Sequence, residues 1–517
     1  MAAAYPRLVA PKPRGKAYPI AAPIGGWNAK DVIGAMPPED AVTMTNWYPA
    51  TNSVYLRSGY TQYSTGITGQ VQTVIPYAST SNKLFAIASG SIYDCTAGGA
   101  VGAASVTGLS NSKFQGVNFT TTGGSYWLGV NGADKQQVFD GTTWHKDGDG
   151  APYDITGVNS NTLIHVNVFK TRLWYVQQST LKAWYLAVGA IGGAATALDL
   201  SSVFQLGGTL MAMGTWTIDA GYGVDDYAVW ITTKGEIAVY RLTDPTTPTG
   251  ISLIGIYRVG APIGRRCFFK FAGDLLVITQ DGLIPMSSII QSDRLNPKSF
   301  LTNKIQFAIS NAVTLYGSNF GWEVLSYPKG NQLYLNIPVS DGSSQQQYVM
   351  NTITGAWCNF SGWNANCWCL FNDDPYFGGN GYVGKAWNGY SDAGTAIQAS
   401  CLQAFNFMGS AESRKRGTMI RPTLFTNGSP AIYGNINWDF DTSDTTAALT
   451  FSPTTYGTWD SGVWDSAVWG SDTAVQNNWQ GATGTGKAAG IRLKVSASGI
   501  QVQWVSTDVV FEEGGIL

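Results

Sequence analysis

The feature of the sequence that most limits its fold is a hairpin pattern that recurs along the middle of the chain. In each copy, an alternating apolar strand enters a Gly, Asn or Asp turn and leaves as a second strand, which is typical of a β-hairpin. The turn centres lie near residues 90, 132, 179, 234, 281, 342 and 380. The seven copies are KLFAIASGSIYDC, YWLGVNGADKQQVFDGTTW, LWYVQQSTLKAWYL, YAVWITTKGEIAVYRL, LLVITQDGLIPMSSI, LYLNIPVSDGSSQQQYVMNTITGAW and YFGGNGYVGKAW.

This spacing indicates the class of fold. Propeller blades of four short strands take about 40–50 residues each, whereas a sandwich shows turns every 8–12 residues without a longer period. Helical patterns are few, and the best one covers residues 300–318, FLTNKIQFAISNAVTLYGS. The chain is therefore predicted to be all-β with few helices. It combines a β-propeller of six or seven blades with an additional C-terminal β-domain.

Three regions are predicted from the changes of pattern along the chain. Residues 1–70 form an extended N-terminal arm, because prolines recur in its first 26 residues, followed by the first strand that enters the sheet. Residues 71–394 form the propeller. In residues 395–517 the hairpin spacing stops, yet IRPTLFTN, AIYGNINWDF and AGIRLKVSAS still alternate like strands. We expect this C-terminal β-domain to contribute to contacts between subunits.

The composition favours an assembled protein. Charged residues make up 12% of the chain, against about 25% in typical soluble domains. The formal net charge is −2, so no overall basic field collects nucleic acid, although DNA can still pass through a neutral channel. The six cysteines are scattered and the two histidines are distant from them, so buried reduced thiols are expected rather than a zinc site.

The N-terminal and apolar segments argue against a targeting or membrane segment. The N-terminus has no apolar signal-peptide core. The longest apolar run without charge, WYLAVGAIGGAATAL, is shorter than the roughly 20 residues of a membrane helix. We expect this run to be a packed connection within the fold, and we expect no membrane insertion.

Two glycine-rich segments resemble nucleotide-binding loops, but their contexts do not fit. GATGTGKA, residues 481–488, places Ala488 where a magnesium-binding Ser or Thr is required, and a strand-like segment follows it instead of a helix. GNGYVG, residues 379–384, lies inside a hairpin and lacks the strand–helix context of a dinucleotide site. No cofactor-binding residue is predicted.

Enzymatic motifs are weak as well. Asp140-Gly141 followed by Trp144 resembles the Asp-box of sialidases without its spacing. A glycosidase would need two carboxylates beside the sugar, and the candidates are Asp225, Asp226, Asp373 and Asp374. The acidic segments DGDGAPYD and DFDTSD do not follow the twelve-residue calcium loop, so structural turns are favoured. We predict no catalytic residue, no metal ligand and no enzyme.

Two segments of the C-terminal region are candidates for contacts. The compact basic run SAESRKRGTM contains Arg414, Lys415 and Arg416. It is either a solvated loop or a contact to another subunit or to the DNA backbone. The segment TWDSGVWDSAVWG repeats a tryptophan every five residues, at Trp459, Trp464 and Trp469. These rings either stack on sugars or, as we favour, fill an assembly contact.

The N-terminal segment Gly25–Tyr60, GGWNAKDVIGAMPPEDAVTMTNWYPATNSVYLRSGY, carries a resemblance to a known family. It combines Gly-Gly-x-Asn, a Pro-Pro step, Asn-x-x-Pro and Arg-x-Gly-Tyr. This combination resembles the tail nozzle proteins (tail tubular protein B) of short-tailed bacteriophages and the related packaged-DNA stabilisation proteins. The residues that carry it are Gly25, Gly26, Asn28, Pro37, Pro38, Asn46, Pro49, Arg57, Gly59 and Tyr60.

The resemblance implies a structural virion protein of the viral tail. Members of the family form a homohexameric ring that makes the tail tube or nozzle, retains packaged DNA and conducts it during DNA ejection. The implied partners are other copies of the chain, head–tail adaptor or portal-side proteins, tail fibres or spikes, and viral DNA bound without sequence specificity. Arg57 and Tyr60 are then expected at interfaces. The alternatives are a propeller that binds or cleaves host glycans, and an adaptor that only attaches fibres.

Overall fold

The computed structural model describes residues 15–219, 224–290, 297–450 and 474–516. The chain divides into two compact units. The propeller unit comprises Ser58–Thr352 and Asn359–Ala393, and the terminal unit comprises the described residues of Met1–Arg57, Ile353–Cys358 and Gly394–Leu517. The predicted boundary at 394/395 lies one residue from the structural one. Residues 58–70, assigned from sequence to the N-terminal region, belong to the propeller unit.

The N-terminal part of the terminal unit contains five strands. They are β1 (Lys16–Ala21), β2 (Gly26–Trp27), β3 (Asp40–Thr45), β4 (Trp47–Pro49) and β5 (Val54–Leu56).

The propeller unit is built almost entirely from short strands. In chain order they are β6 (Tyr60–Tyr77), β7 (Lys83–Ala88), β8 (Ser91–Asp94), β9 (Gly99–Ala100), β10 (Gln115–Thr121), β11 (Gly124–Val130), β12 (Gln137–Phe139), β13 (Trp144–Lys146), β14 (Ile155–Thr156), β15 (Leu163–Phe169), β16 (Arg172–Gln177), β17 (Lys182–Tyr185), β18 (Gly193–Ala194), β19 (Thr196–Asp199), β20 (Leu210–Asp219), β21 (Val224–Thr232), β22 (Glu236–Leu242), β23 (Ile251–Arg258), β24 (Phe268–Phe271), β25 (Asp274–Thr279), β26 (Gly282–Pro285), β27 (Glu323–Tyr327), β28 (Gln332–Ser340), β29 (Ser344–Asn351), β30 (Trp357–Ser361, of which residues 359–361 belong to this unit), β31 (Cys367–Phe371), β32 (Asp374–Gly378) and β33 (Asn380–Ala386).

Helices are few among the described residues. The two α-helices are α1 (Met286–Ile290) and α2 (Gln306–Tyr316), and α2 lies inside the segment predicted to be helical. The 3-10 turns are Ser160–Thr162, Pro248–Gly250, Pro297–Ser299, Asn303–Ile305 and Pro328–Gly330. No helix in the described part of the chain is long and apolar enough to cross a membrane.

The C-terminal part of the terminal unit contains eight further strands among the residues described. They are β34 (Ile397–Gln403), β35 (Ser413–Thr426), β36 (Ala431–Trp438), β37 (Ala448–Leu449), β38 (Ala474–Gln476), β39 (Gln480–Gly486), β40 (Ala489–Ala497) and β41 (Val502–Ile516). β35 and β41 pair along most of their length, and β1 adds to β41 on the other side. A second set of pairs joins β34, β40 and β36.

Successive strands of the propeller unit form small antiparallel sheets. β10–β13 form one sheet, β15–β17 with β19 the next, and β20–β23 a third. β24–β26 follow with three strands, and β27–β30 pair in order after them. All seven hairpins predicted from the sequence are formed, because each turn segment connects two paired strands.

Apolar side chains fill the spaces between consecutive sheets. The β15–β19 sheet and the β20–β23 sheet are joined by a cluster in which Trp174 and Trp230 pack edge to face at 5.7 Å. Similar clusters join β10–β13 to its two neighbouring sheets. The first strand of each sheet contacts the first strand of the next, from β10 through β15, β20, β24 and β27 to β31. The chain is therefore all-β, with a propeller-like arrangement and an additional β unit.

Strand β6 connects the two ends of this arrangement. Its first part pairs with β33, with Tyr60 opposite Ala386. Its last part pairs with β7, with Tyr77 opposite Lys83. One continuous strand thus belongs to the last sheet and to the first.

Candidate functional site

The residues that carry the family resemblance hold the backbone in place. Asn46 has a left-handed backbone conformation (φ 58°), which Asn tolerates better than most residues. Its Oδ1 accepts a hydrogen bond from Arg57 Nε at 2.9 Å, and its Nδ2 donates to the carbonyl of Gln398 at 2.7 Å. Arg57 is fully buried. The guanidinium therefore stabilises the fold of the chain itself, and is not exposed for contact with another subunit.

Gly59 and Tyr60 fix the start of the strand that closes the propeller unit. A Cβ atom on Gly59 would lie 1.9 Å from the carbonyl oxygen of Ser391, so only glycine fits there. The Tyr60 ring packs against Phe377 at 5.1 Å and stacks on Tyr382 at 6.0 Å. Tyr60 is 9% exposed. The predicted interface residue thus makes its contacts inside the unit.

The basic run is part of a strand and not a loop. Arg414, Lys415 and Arg416 begin β35, where successive side chains point to opposite faces. Arg414 and Arg416 are exposed. Lys415 is buried, and its Nζ donates to the backbone carbonyls of Ser410, Ser413 and Lys487. Only the two arginines are therefore available for an intermolecular contact. The three predicted tryptophans, Trp459, Trp464 and Trp469, lie outside the described residues.

The Asp140 segment is a structural turn. The Asp140 carboxylate accepts hydrogen bonds from the backbone N–H groups of Thr142 at 2.8 Å and Thr143 at 2.6 Å. These amides outweigh the effect of its burial and lower the pKa of Asp140. Trp144 then packs against Phe85 at 5.2 Å. The residues that resemble an Asp-box thus close a hairpin and anchor it to the core.

Three of the four carboxylates considered for sugar cleavage, Asp226, Asp373 and Asp374, are ion-paired with lysines. Asp226 accepts from Lys170 Nζ at 2.6 Å, and Asp374 contacts Lys385 Nζ at 2.7 Å. The pKa of Asp226 is lowered, chiefly by the hydrogen bond from Lys170, and the pKa of Asp374 is also lowered by its lysine partners despite its burial. A glycosidase acid needs the opposite, a raised pKa that keeps its proton. The pKa values of Asp226 and Asp374 are lowered instead, so neither side chain suits the role of the acid.

The calcium and zinc alternatives have structural explanations in the described residues. Asp147 accepts from the Ile155 N–H at 3.0 Å, and Asp154 accepts from the Gly148 N–H at 2.7 Å, so the acidic segment is a set of turns. All six cysteines are buried thiols, as predicted. Burial raises the pKa of Cys267 to about 12. No group of three or more candidate metal ligands occurs in the residues that the structure describes.

The GATGTGKA segment is likewise not a phosphate loop. Its first six residues lie in β39, and the strand β40 follows directly after Ala488. The backbone N–H groups of Lys487 and Ala488 are held by the Asp439 carboxylate at 2.6 and 3.2 Å. An anion would meet a carboxylate there, so the structure confirms the strand prediction.

A group of interacting side chains lies near the starts of β24 and β27 and beside β6. We call it the axial cluster: Arg266, Glu323, Thr73 and Phe320. Arg266 precedes β24, yet its Nη2 reaches the Thr73 Oγ1 at 3.1 Å on β6 and the Phe114 carbonyl at 3.2 Å before β10. Its Nη1 donates to Glu323 Oε2 at 2.6 Å on β27. The Arg266 side chain thus connects the segment before β24 with β6, β27 and the segment before β10.

The ion pair of the axial cluster is largely buried. The side chains of Arg266 and Glu323 are 15% and 9% exposed. Burial raises the pKa of Glu323, and the Arg266 charge counteracts part of that rise. The guanidinium also lies 5.1 Å from the centre of the Phe320 ring. A buried charge without a partner destabilises the folded state. Removal of either side chain should therefore destabilise the protein by leaving the other charge unpaired.

A cavity of about 550 Å³ adjoins the axial cluster, and we call it the channel pocket. Lys113, Asn131, Met211, Arg265, Asn319 and Phe320 are among its lining residues. Arg265 donates through Nη1 to the carbonyl of Asn131 at 3.0 Å. The Lys113 Nζ lies 4.9 Å from the Phe320 ring centre. Volumes of 300–1,000 Å³ are typical of small-molecule sites, so this pocket is a candidate binding site.

Sequence analysis identified neither the axial cluster nor the channel pocket. Their residues are far apart in sequence: Thr73, Lys113, Arg266 and Glu323 each precede a different one of the seven hairpin copies. The one local signal is the Gly264-Arg265-Arg266 turn. Gly264 has a left-handed φ of 73°, and such a turn directs two adjacent arginines towards different neighbours.

Comparisons with known proteins found structural likenesses at low identity. No family model matches the sequence, and no curated relative matches it. The structure is similar to YCF48 from Cyanidioschyzon merolae (TM-score 0.35, 9% identity, 63% of this chain and 98% of that one). It is also similar to the Cps50 (Swd1) β-propeller domain of Myceliophteria thermophila (TM-score 0.37, 13% identity, 63% and 99%). For BBS1N in complex with ARL6DN, the TM-score is 0.27 at 12% identity. That match covers 42% of this chain and 62% of BBS1N.

Proposed function

We propose that this protein is a structural component of a short-tailed phage virion. In this proposal it forms the tail tube or nozzle ring, retains packaged DNA and conducts it during ejection. The observation that carries the proposal is the resemblance over Gly25–Tyr60. The roles of Asn46, Arg57, Gly59 and Tyr60 support it, because each fixes a backbone position where the chain enters the ring-closing strand.

We also propose that the propeller has seven blades. Their inner strands are the last part of β6, followed by β10, β15, β20, β24, β27 and β31. The first part of β6 supplies the outer strand of the seventh blade. Seven blades account for the seven hairpin repeats of the sequence, and sharing one strand between two blades removes an open sheet edge.

The proposed partners follow from this role. Six copies form a closed ring through head-to-tail contacts, since cyclic symmetry uses two different patches on each subunit. A surface with few charges suits such contacts. Head–tail adaptor or portal-side proteins bind one end of the ring, and tail fibres or spikes attach to it. DNA passes through the lumen without sequence-specific contacts, and the protein resides in the virion tail.

The experiment that tests this proposal is quantitative mass spectrometry of purified phage particles. About six copies per particle, as for one ring on one axis, would support the tail role. Absence from particles, with the protein free in the lysate, would refute it and bring forward the glycan-binding or glycan-cleaving alternative.

The assembly role of the tryptophan repeat can be tested in the same particles. We expect replacement of Trp464 and Trp469 by Ala to reduce incorporation into particles, because Trp is enriched among the residues that contribute most to interfaces. Far-UV circular dichroism of the purified variant should match the wild type. Arg414→Ala, which removes one exposed side chain of β35, gives a comparison for the second candidate contact. Normal particle yield and DNA retention in the tryptophan variant would contradict its role.

A further inference from the structure

We propose that the channel pocket is a binding site for a small organic anion that carries a phosphate or carboxylate group. The inference is independent of the proposed function, since it rests only on the residues of the pocket. Two cations, Lys113 and Arg265, line the cavity, and Arg266 lies beside Arg265. Of the residues that line it, none is acidic.

Of these three cations, only Arg266 has a carboxylate partner among the described residues. Arg266 is neutralised by Glu323 at 2.6 Å. Neither Lys113 nor Arg265 forms an ion pair with another residue in the described ranges. Asp134, whose carboxylate is hydrogen-bonded to the lining residue Asn131, does not itself line the pocket; it accepts hydrogen bonds from the Ser110 N–H, the Ser110 hydroxyl and Asn131 Nδ2. The pocket therefore carries an excess of positive charge.

Arg265 is held in a position where it can bind an oxyanion. One contact of its guanidinium, from Nη1 to the Asn131 carbonyl at 3.0 Å, fixes its orientation. A guanidinium has five N–H donors, so further donors are available, and their fork matches carboxylate and phosphate oxygens. Partial burial lowers the pKa of Arg265, but an arginine remains charged in proteins. A partly desolvated cation binds an anion more strongly than an exposed one.

The asparagine side chains of the pocket already form hydrogen bonds within the protein. Asn131 Oδ1 accepts from the Ala133 and Asp134 N–H groups, and Asn319 Nδ2 donates to the Pro338 carbonyl at 2.8 Å. Met211 and Phe320 provide apolar surface. Recognition would therefore come from Lys113 and Arg265, with room beside them for an apolar body. This combination of a few charged groups with apolar walls is typical of small-molecule sites.

Isothermal titration calorimetry of the full-length protein tests this site. The probes are inorganic phosphate and citrate, with ionic strength held constant by sodium chloride. Saturable binding of at least one probe is expected, and the tighter probe identifies the preferred group. Arg265→Gln and Lys113→Met should each weaken binding at least tenfold. Lys83→Met is the matched control. Lys83 makes the same kind of ring contact as Lys113, with its Nζ 5.1 Å from the Phe139 ring centre, but it does not line the pocket. The Lys83→Met variant should bind the probes with the affinity of the wild type.

Two results would overturn the assignment. One is the absence of saturable binding of both probes. The other is binding that Lys113→Met and Arg265→Gln leave unchanged. Far-UV circular dichroism and the melting temperature of each variant establish that it is folded. Because the Lys113 side chain makes only the ring contact described above within the described ranges, and its backbone hydrogen bond to Asn111 is kept in Lys113→Met, this substitution separates loss of binding from loss of fold even where Arg265→Gln is destabilising.

Discussion

Replacing Arg266 by Met should destabilise the propeller unit strongly, although Met retains an unbranched apolar stem in place of the first part of the arginine side chain. The substitution removes hydrogen bonds to Thr73 Oγ1, to two backbone carbonyls and to Glu323. It also leaves Glu323 buried without its counter-charge. Breaking a buried ion pair by removing one partner costs about 3–5 kcal/mol. Since both side chains are at most 15% exposed, solvent screening reduces this cost little, and we expect about 3 kcal/mol or more.

Urea unfolding of four proteins measures this cost: the wild type, Arg266→Met, Glu323→Gln and the double variant. The double variant should be more stable than Arg266→Met alone, because it contains no unpaired charge. Lys170→Met is the matched control. It breaks the surface pair with Asp226, where the side chains are 43% and 34% exposed, and a pair of this kind is worth about 0–1 kcal/mol.

The pH dependence gives a second, independent test. Burial raises the pKa of Glu323 and Arg266 opposes this rise, so the pKa rises further in Arg266→Met. A carboxyl group with a higher pKa in the folded state contributes stability that is complete below its unfolded pKa and is lost as pH rises through the folded pKa. The stability difference between variant and wild type should therefore be smallest below about pH 4.3 and increase towards pH 7. A cost below about 1 kcal/mol, or a cost that is independent of pH, would refute this account of the ion pair.

Three further predictions concern other parts of the fold. Gly59→Ala should cost more than about 2 kcal/mol, because its Cβ would lie 1.9 Å from a backbone oxygen, whereas Gly102→Ala, with no atom within 4 Å, should change urea stability by less than about 0.5 kcal/mol. Glu236→Gln should speed amide hydrogen exchange at Gln205 and Leu206. The N–H groups of these two residues donate to the buried Glu236 carboxylate at 3.0 and 2.7 Å, and unchanged exchange in the variant would contradict this role. The thiols should react with a disulfide reagent only on unfolding, since burial raises the pKa of thiols such as Cys267 to about 12; a rapidly reacting thiol in the native protein would be inconsistent with this burial.

The hairpins could be predicted because their signal is local. Alternation of apolar residues around a Gly, Asn or Asp turn defines each one, and the spacing of the turns indicates how many sheets follow one another. The pairing of the first strand of the propeller unit with the last hairpin agrees with a general principle, since it removes an open sheet edge. The helix within residues 300–318 was identified by its periodicity.

The roles of single charged residues could not be predicted in the same way. Arg57 and Lys415 look like surface residues in sequence, because most arginines and lysines are exposed. Their burial depends on partners that are distant in sequence, such as Asn46 for Arg57 and the Lys487 carbonyl for Lys415. The axial cluster is formed in the same way, by residues from three separate segments of the chain, which contain Thr73, Arg266, and Phe320 with Glu323. Sequence patterns identify elements, but they do not indicate which loops meet at the end of the inner strands.

The shared strand β6 has a consequence for the order in which the protein folds. Tyr60 meets Tyr382 across 322 residues of chain, so the N-terminal half of β6 leaves the ribosome long before its partner strand exists. At about 5–20 residues per second, that interval lasts roughly 15–65 s. During this time the half-strand is an unpaired sheet edge, open to pairing with another nascent chain. Closure of the propeller unit is therefore a late event in biogenesis, and misassembly between chains competes with it until β33 has been synthesised.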